Sequence, residues 1–200
     1  MNDLVWTESL AAPRSLATRE TTAVAAIEDP GVLELHLAVN DLYVRRRCEK
    51  ILGGKLPTRP WATAMLENRR LVWVRPWRWR IIAARETIPP LLAELNESVA
   101  PSVVADLTGA FSALRIAGIT ANEVLARVCS LDIRPVEADC ARGTSIAGVR
   151  CLLIREDNAV LSWQVLVPRS YAGHVAAALI EAIRTPGRLA LYAPTAAPPV

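Results

Sequence analysis

The sequence predicts an α+β fold with largely antiparallel sheets and helices packed on one face. Three observations carry this. Short β-prone runs come in pairs, single amphipathic helices separate the pairs, and no fixed period of the solenoid or propeller kind runs through the chain. The stretch 105–133, ADLTGAFSALRIAGITANEVLARVCSLDI, shows the pattern most compactly. Residues 103–107 are apolar and β-prone, and Thr108-Gly109 breaks them as a tight turn. Residues 110–117 alternate as a second strand that ends at Gly118. A helix over 122–128 then sets Val124, Leu125 and Val128 on one side, with Glu123 and Arg127 toward water. The unit holds no nucleophile–base pair, which suits a scaffold or partner better than a free-standing catalyst.

The elements follow in order. Residues 1–30 lack a sustained period and end at Glu28-Asp29-Pro30, so they read as an extended or partly disordered arm. Residues 31–190 read as one α+β domain, divisible into subdomains 31–98 and 99–190, and the proline- and alanine-rich 191–200 as a flexible tail. A strand spans 32–39 with Leu33, Leu35 and Leu37 on one face. Asn40 caps a helix over 41–52 that stops at Gly53-Gly54. After a loop at 56–60, strands at 69–74 and 78–84 are joined by Arg75-Pro76-Trp77. Thr87 caps a helix over 88–96 with Pro89 and Pro90 in its first turn. Residues 134–144 form a loop-rich connection, and 145–155 with 159–167 a hairpin turned by Glu156-Asp157-Asn158. Ser170 caps the last helix, 171–184, which ends at Thr185-Pro186-Gly187.

Composition narrows the class. Of 200 residues, 52% are hydrophobic and 22% charged, which supplies a core and argues against bulk disorder. No run approaches the roughly 20 apolar residues a bilayer span needs. The start, Met1-Asn2-Asp3-Leu4, lacks the basic-then-apolar pattern of a secretory signal. The expectation is a cytoplasmic protein with no membrane contact. Cys48, Cys129, Cys140 and Cys151 form no CxxC pair and lie far in sequence from His36 and His174, so they read as reduced, mostly buried thiols rather than metal ligands.

Chemical motifs are sparse. Gly53-Gly54, Gly143 and Gly148 match neither GxGxxG nor the P-loop. There is no GxSxG elbow, and Ser170, four residues before His174, reads as a cap rather than half of a dyad. Asp106, Asp132 and Asp139 are lone carboxylates without a partner motif. No catalytic, cofactor-binding or metal residue is assigned. One region stands out: Arg45-Arg46-Arg47, Lys50, Lys55, Arg59, Arg69, Arg70, Arg75, Arg78, Arg80 and Arg85 are interleaved with Trp61, Trp73, Trp77 and Trp79. Charge plus stacking would suit single-stranded nucleic acid. The net charge of only +3 and the lack of a nucleic-acid signature favour a protein interface or a solvated face.

Three stretches resemble the gamma subunit of heterotetrameric sarcosine oxidase. Trp73-Val74-Arg75-Pro76-Trp77-Arg78-Trp79 matches a family strand pair built on Trp-x-Gly-Pro-Asp-Glu-Trp. Asp106, Gly118, Leu125, Cys129, Leu131 and Asp132 follow an aspartate-led strand pair, glycine, helix and Cys-x-Leu-Asp. Val165-Leu166-Val167-Pro168-Arg169-Ser170-Tyr171 matches an apolar strand followed by the Arg-Ser that opens the last helix. The likeness covers roughly residues 30–185, in order. Arg75 and Trp77 stand where the family has glycine and aspartate, the mark expected of a relative serving another N-methylated compound. The resemblance implies a fold similar to the folate-binding domain of glycine-cleavage T-protein. It implies alpha, beta and delta subunits as partners, and FAD, FMN, NAD, zinc and tetrahydrofolate in those partners rather than in this chain. The implied role is non-catalytic: assembly, and enclosure of sites where an N-methyl group is oxidised and its carbon passed to tetrahydrofolate. Two alternatives stay open, a stand-alone folate-binding one-carbon-transfer protein of the T-protein type and a nucleic-acid module using the Arg/Trp region.

Overall fold

The computed structural model describes residues 15–19, 22–27, 30–37, 41–98, 103–156 and 160–185. In chain order the elements are β1 (Ser15–Arg19), β2 (Thr22–Ile27), β3 (Pro30–His36), α1 (Leu42–Leu52), β4 (Thr63–Leu66), β5 (Arg69–Arg75), β6 (Arg78–Ala84) and α2 (Ile88–Ser98). They continue as β7 (Val103–Asp106), β8 (Phe111–Gly118), α3 (Ala121–Val128), β9 (Cys140–Ile146), β10 (Val149–Glu156), β11 (Ser162–Pro168) and α4 (Ala172–Arg184). Among the described residues the strands form two sheets, one ordered β1-β2-β8-β11-β10-β9 and the other β4-β5-β6-β3-β7. Every pairing within them is antiparallel.

Strand alternation explains how the layers stack. On β3, Leu33 and Leu35 point to α1 and α2 and pack with Val44, Cys48, Leu91 and Leu95. Val32 points the opposite way. On β10 and β11, Leu153, Val165 and Val167 pack with Val124, Leu125, Val175 and Leu179 of α3 and α4. Their neighbours Leu152, Ile154 and Leu166 point the other way and meet Val32, Val72 and Ile82 of the five-stranded sheet. Each sheet therefore carries helices on its outer face, and the inner faces close on one another. The result is the α+β, antiparallel architecture the sequence predicts, stacked helix, sheet, sheet, helix. Strands buried on both faces read as nearly continuous apolar runs such as 151–154 and 165–167.

Several local expectations are corrected. Within the 1–30 arm, Thr22–Ile27 is a strand whose Val24 and Ala26 are fully buried; its small side chains conceal the alternation. Residues 103–107 and 110–117 are not a hairpin. β7 pairs with β3, whereas β8 pairs with β2 and β11, so the turn at Thr108 carries the chain from one sheet to the other. Two bonds hold that crossing to β3: Leu107 N donates to Val32 O at 2.8 Å and Val32 N to Thr108 Oγ1 at 3.1 Å.

The supposed loop 134–144 contains the start of β9, and β4 was not foreseen. The β9–β10 turn at Ala147 (φ 48) and Gly148 (φ 81) has both residues left-handed, as a two-residue hairpin demands. Alanine there hides the turn from the sequence. Asp41 caps α1, its carboxylate accepting from Val44 N at 2.9 Å. Ser170 caps nothing; Tyr171 holds the N-cap position of α4 without a side-chain bond. Thr87 donates back to Ala84 O at 2.7 Å, inside a short 3-10 turn before α2. Arg127 does not merely face water: it donates to Ala182 O at 2.5 Å and Thr185 O at 2.6 Å, closing the carbonyl end of α4. Residues 1–14, Asn40, the turn at 157–159, Pro186-Gly187 and the tail at 191–200 lie outside the described residues.

Leu166 sits in the inter-sheet core, fully buried. Leu166→Ala is expected to lower stability by about 2–5 kcal/mol, through lost transfer energy and a cavity that two facing sheets cannot easily collapse. Equilibrium urea unfolding checks this; a loss below about 1 kcal/mol would contradict a dry contact between the sheets.

Candidate functional site

The two sheets are joined at one edge and part beside it. At the join, Ala62 bridges Cys140, Ala141 N donates to Trp61 O at 2.7 Å, and Thr63 N donates to Asp139 O at 3.0 Å. Trp61 reaches this position with φ 64, an uncommon conformation for a bulky residue. Its ring stands edge-on to Trp73, centroids 6.2 Å apart at 69°. The same ring lies over Gly143, where a Cβ would come within 2.9 Å of it, so glycine is the residue that fits.

Beside this join a cleft of about 990 Å³ opens between the sheets. One wall comes from the β5–β6 hairpin and the segment before β4, with Trp61, Trp73, Arg75, Pro76 and Arg80. The other comes from β8 to β11, with Phe111, Ser145, Arg150, Leu152 and Leu166. The hairpin is shaped by a bulge between Trp73 and Arg75 and by Trp77 at φ 61. On its far side a smaller pocket of about 240 Å³ lies among Arg45, Trp77 and Trp79.

The arginines divide into two groups. Arg80 packs its guanidinium over the Phe111 ring at 4.6 Å and reaches Glu34 at 3.4 Å. Arg78 meets the same carboxylate at 3.3 Å. Burial pushes Arg80 below its ordinary pKa and Glu34 opposes the shift; an arginine so placed stays charged. Arg70 lies near Asp139 at 3.6 Å and Glu156 at 3.8 Å, and Glu156 also takes Arg115 at 2.7 Å and Ser162 Oγ at 2.8 Å. These charges are spent inside the fold. Arg75 and Arg150 are exposed at the cleft.

Part of the Arg/Trp region packs, while Arg46, Arg47, Lys50, Lys55, Arg59, Arg75 and Arg85 are exposed. Trp79 is buried and donates to Pro57 O at 2.8 Å, with Arg45 over its ring. Arg69 donates to Ile51 O at 3.4 Å.

The lone aspartates serve the backbone or an arginine. Asp106 accepts from Thr108 N at 2.8 Å, and the Thr108 hydroxyl and amide hold its carboxyl below the usual range. Asp132 takes Arg134 in two contacts of 2.9 and 2.8 Å. Asp139 has φ 52 and faces Arg70. None of the three lines the cleft. His174 Nε2 is engaged with Ala147 O at 2.9 Å, so no dyad with Ser170 forms. Among the described residues lining the cleft there is no histidine and no carboxylate. Among the described residues no cluster of His, Cys, Asp or Glu could hold a metal ion, and no helix is long and apolar enough to cross a membrane. The charged side chains of the described lining are Arg75, Arg80 and Arg150.

The fold is that of a chain of heterotetrameric sarcosine oxidase. The sarcosine oxidase chain, from Corynebacterium sp. U-96, aligns over 85% of this chain and 87% of its own, with 24% identity and TM-score 0.75. Aminomethyltransferase T of the glycine cleavage system from Bartonella henselae aligns over 84% of this chain but 50% of its own, with 15% identity and TM-score 0.61. This chain therefore spans about half of that one. At these identities the likeness is one of fold. No protein-family model and no curated protein matches the sequence. The likeness to sarcosine oxidase read from three motifs is met in the fold, and the first motif is the hairpin at the cleft mouth.

Sequence reasoning named Arg75 and Arg80 but not the cleft. It missed Phe111 and Arg150 as lining residues, and it treated Gly143 as a turn or helix-end glycine. The available signal was Gly143 itself: a glycine inside a strand marks a close approach, here by Trp61.

Burial pushes the thiols of Cys48 and Cys151 up to about 11, whereas Cys129 and Cys140 are half-buried. Iodoacetamide at about pH 8, near the free-thiol pKa, should alkylate Cys129 and Cys140 first and reach Cys48 and Cys151 only on unfolding. Peptide mass mapping reads the order; early labelling of Cys48 or Cys151 would contradict the packing described.

Proposed function

We propose that this chain is a non-catalytic subunit of a heterotetrameric, sarcosine-oxidase-like complex. One observation carries the reading: the alignment with the sarcosine oxidase chain covers both chains almost throughout, so this chain matches an entire component of that assembly. The motif order in the sequence and a cleft without acid–base groups are consistent with it. In this reading alpha, beta and delta partners hold FAD, FMN, NAD, zinc and tetrahydrofolate. They oxidatively demethylate sarcosine or a related N-methyl amine and pass the carbon to tetrahydrofolate. This chain completes the assembly and helps enclose a reactive intermediate from water.

A second reading, a free-standing folate-binding one-carbon-transfer protein, draws on one feature: the cleft combines aromatic rings with exposed arginines.

Tagged chain expressed with its neighbouring genes should co-purify in fixed ratio with flavin-bearing chains, and the complex should oxidise an N-methyl amine. The isolated chain should be colourless and inactive. A yellow chain that turns over the amine alone would overturn the proposal.

A further inference from the structure

We propose that the cleft between the sheets is the docking groove for a carboxylate-bearing, extended segment of a partner subunit; this rests on the complex reading above. Three observations carry it. First, the groove has the make-up of a protein interface. Aromatic surface from Trp61, Trp73 and Phe111 forms its interior, and charge stands at its exposed margins. Second, its charge has one sign. Arg75, Arg80 and Arg150 line it, no carboxylate does, and only Arg80 is balanced from within the fold, by Glu34. Among the described residues Arg75 and Arg150 are given no partner, and they rise from opposite sheets, so they bracket whatever lies between them. Third, its size and openness suit a chain segment. About 990 Å³ is at the upper limit of small-molecule pockets. Gly148, with open space where a Cβ would stand, adds no side chain to the β9–β10 wall, so a backbone can lie close there.

Arginine and tryptophan are the residue types in which interface energy concentrates. Carboxylates of the segment would meet Arg75 and Arg150 while an apolar side chain rests against Trp61 and Phe111. Such charge pairs at an interface margin act mainly on association and are weakened by salt.

The test uses the co-purified complex and the full chain. Arg75→Glu with Arg150→Glu reverses both exposed charges, and Arg75→Gln with Arg150→Gln removes them. Thermal melts and circular dichroism establish that each variant is folded. Binding to the purified flavoprotein partner should weaken at least tenfold on reversal and less on neutralisation, and its salt dependence should flatten in both. Cross-linking mass spectrometry of the wild-type complex should place an acidic partner segment between residues 75–80 and 145–150. Equal affinity for wild type and reversal variant would overturn the proposal while leaving the complex reading intact. Tetrahydrofolate binding to the isolated wild-type chain, lost in the reversal variant, would assign the cleft to a small molecule and also overturn it. If the wild-type chain binds no flavoprotein partner at any salt concentration, the complex reading falls and takes this proposal with it.

Discussion

Contact between the inner faces of two sheets governs everything else in this molecule. Val32, Val72 and Ile82 from one sheet meet Ala113, Leu152, Ile154 and Leu166 from the other, and Trp61 and Phe111 pack at the border of that seam. Both sheets cover their outer faces with helices, so their inner faces are left to meet each other along the seam. Interiors pack like crystals, and the seam fixes the spacing of the sheets. Where apolar side chains give way to Glu34, Arg78 and Arg80, close contact stops. The cleft is the direct consequence: it begins where the seam ends, roofed by an arginine on an aromatic ring.

The distribution of charge follows from the same constraint. Guanidinium groups near the seam must be neutralised because burying an unpaired charge is costly. Glu34 and Glu156 do this, each gathering two arginines. Past the seam the requirement lapses, and Arg75 and Arg150 remain in solvent. Among the described residues the cleft therefore presents cations and aromatic rings side by side.

Much of the fold was legible because helices announce themselves by the period of their apolar residues. Helix α3 and the β5–β6 pair fall within a residue or two of the expected bounds. What escaped had physical reasons. In β2 the buried positions alternate Thr22, Val24 and Ala26 with Ala23 and Ala25 between them, so there is little hydrophobic contrast to read. The crossing at Thr108 has the residues of a hairpin turn, and only tertiary partners such as Val32 reveal that its two strands belong to different sheets. Asp41 displaces Asn40 as the cap because both types cap well and one-residue offsets are invisible to propensity. The cleft was illegible for a further reason: one wall comes from residues 60–80 and the other from segments spread over 111–168, a separation that no local pattern spans.

Hydrogen exchange of the chain, isolated and within its purified complex, probes the central claim most directly: that this fold holds open a cleft which another subunit fills. The account predicts protection gained at the β5–β6 hairpin and the β9–β10 turn, with α3 and α4 unchanged. Protection gained on α3 and α4 while the cleft walls exchange as freely as before would contradict it.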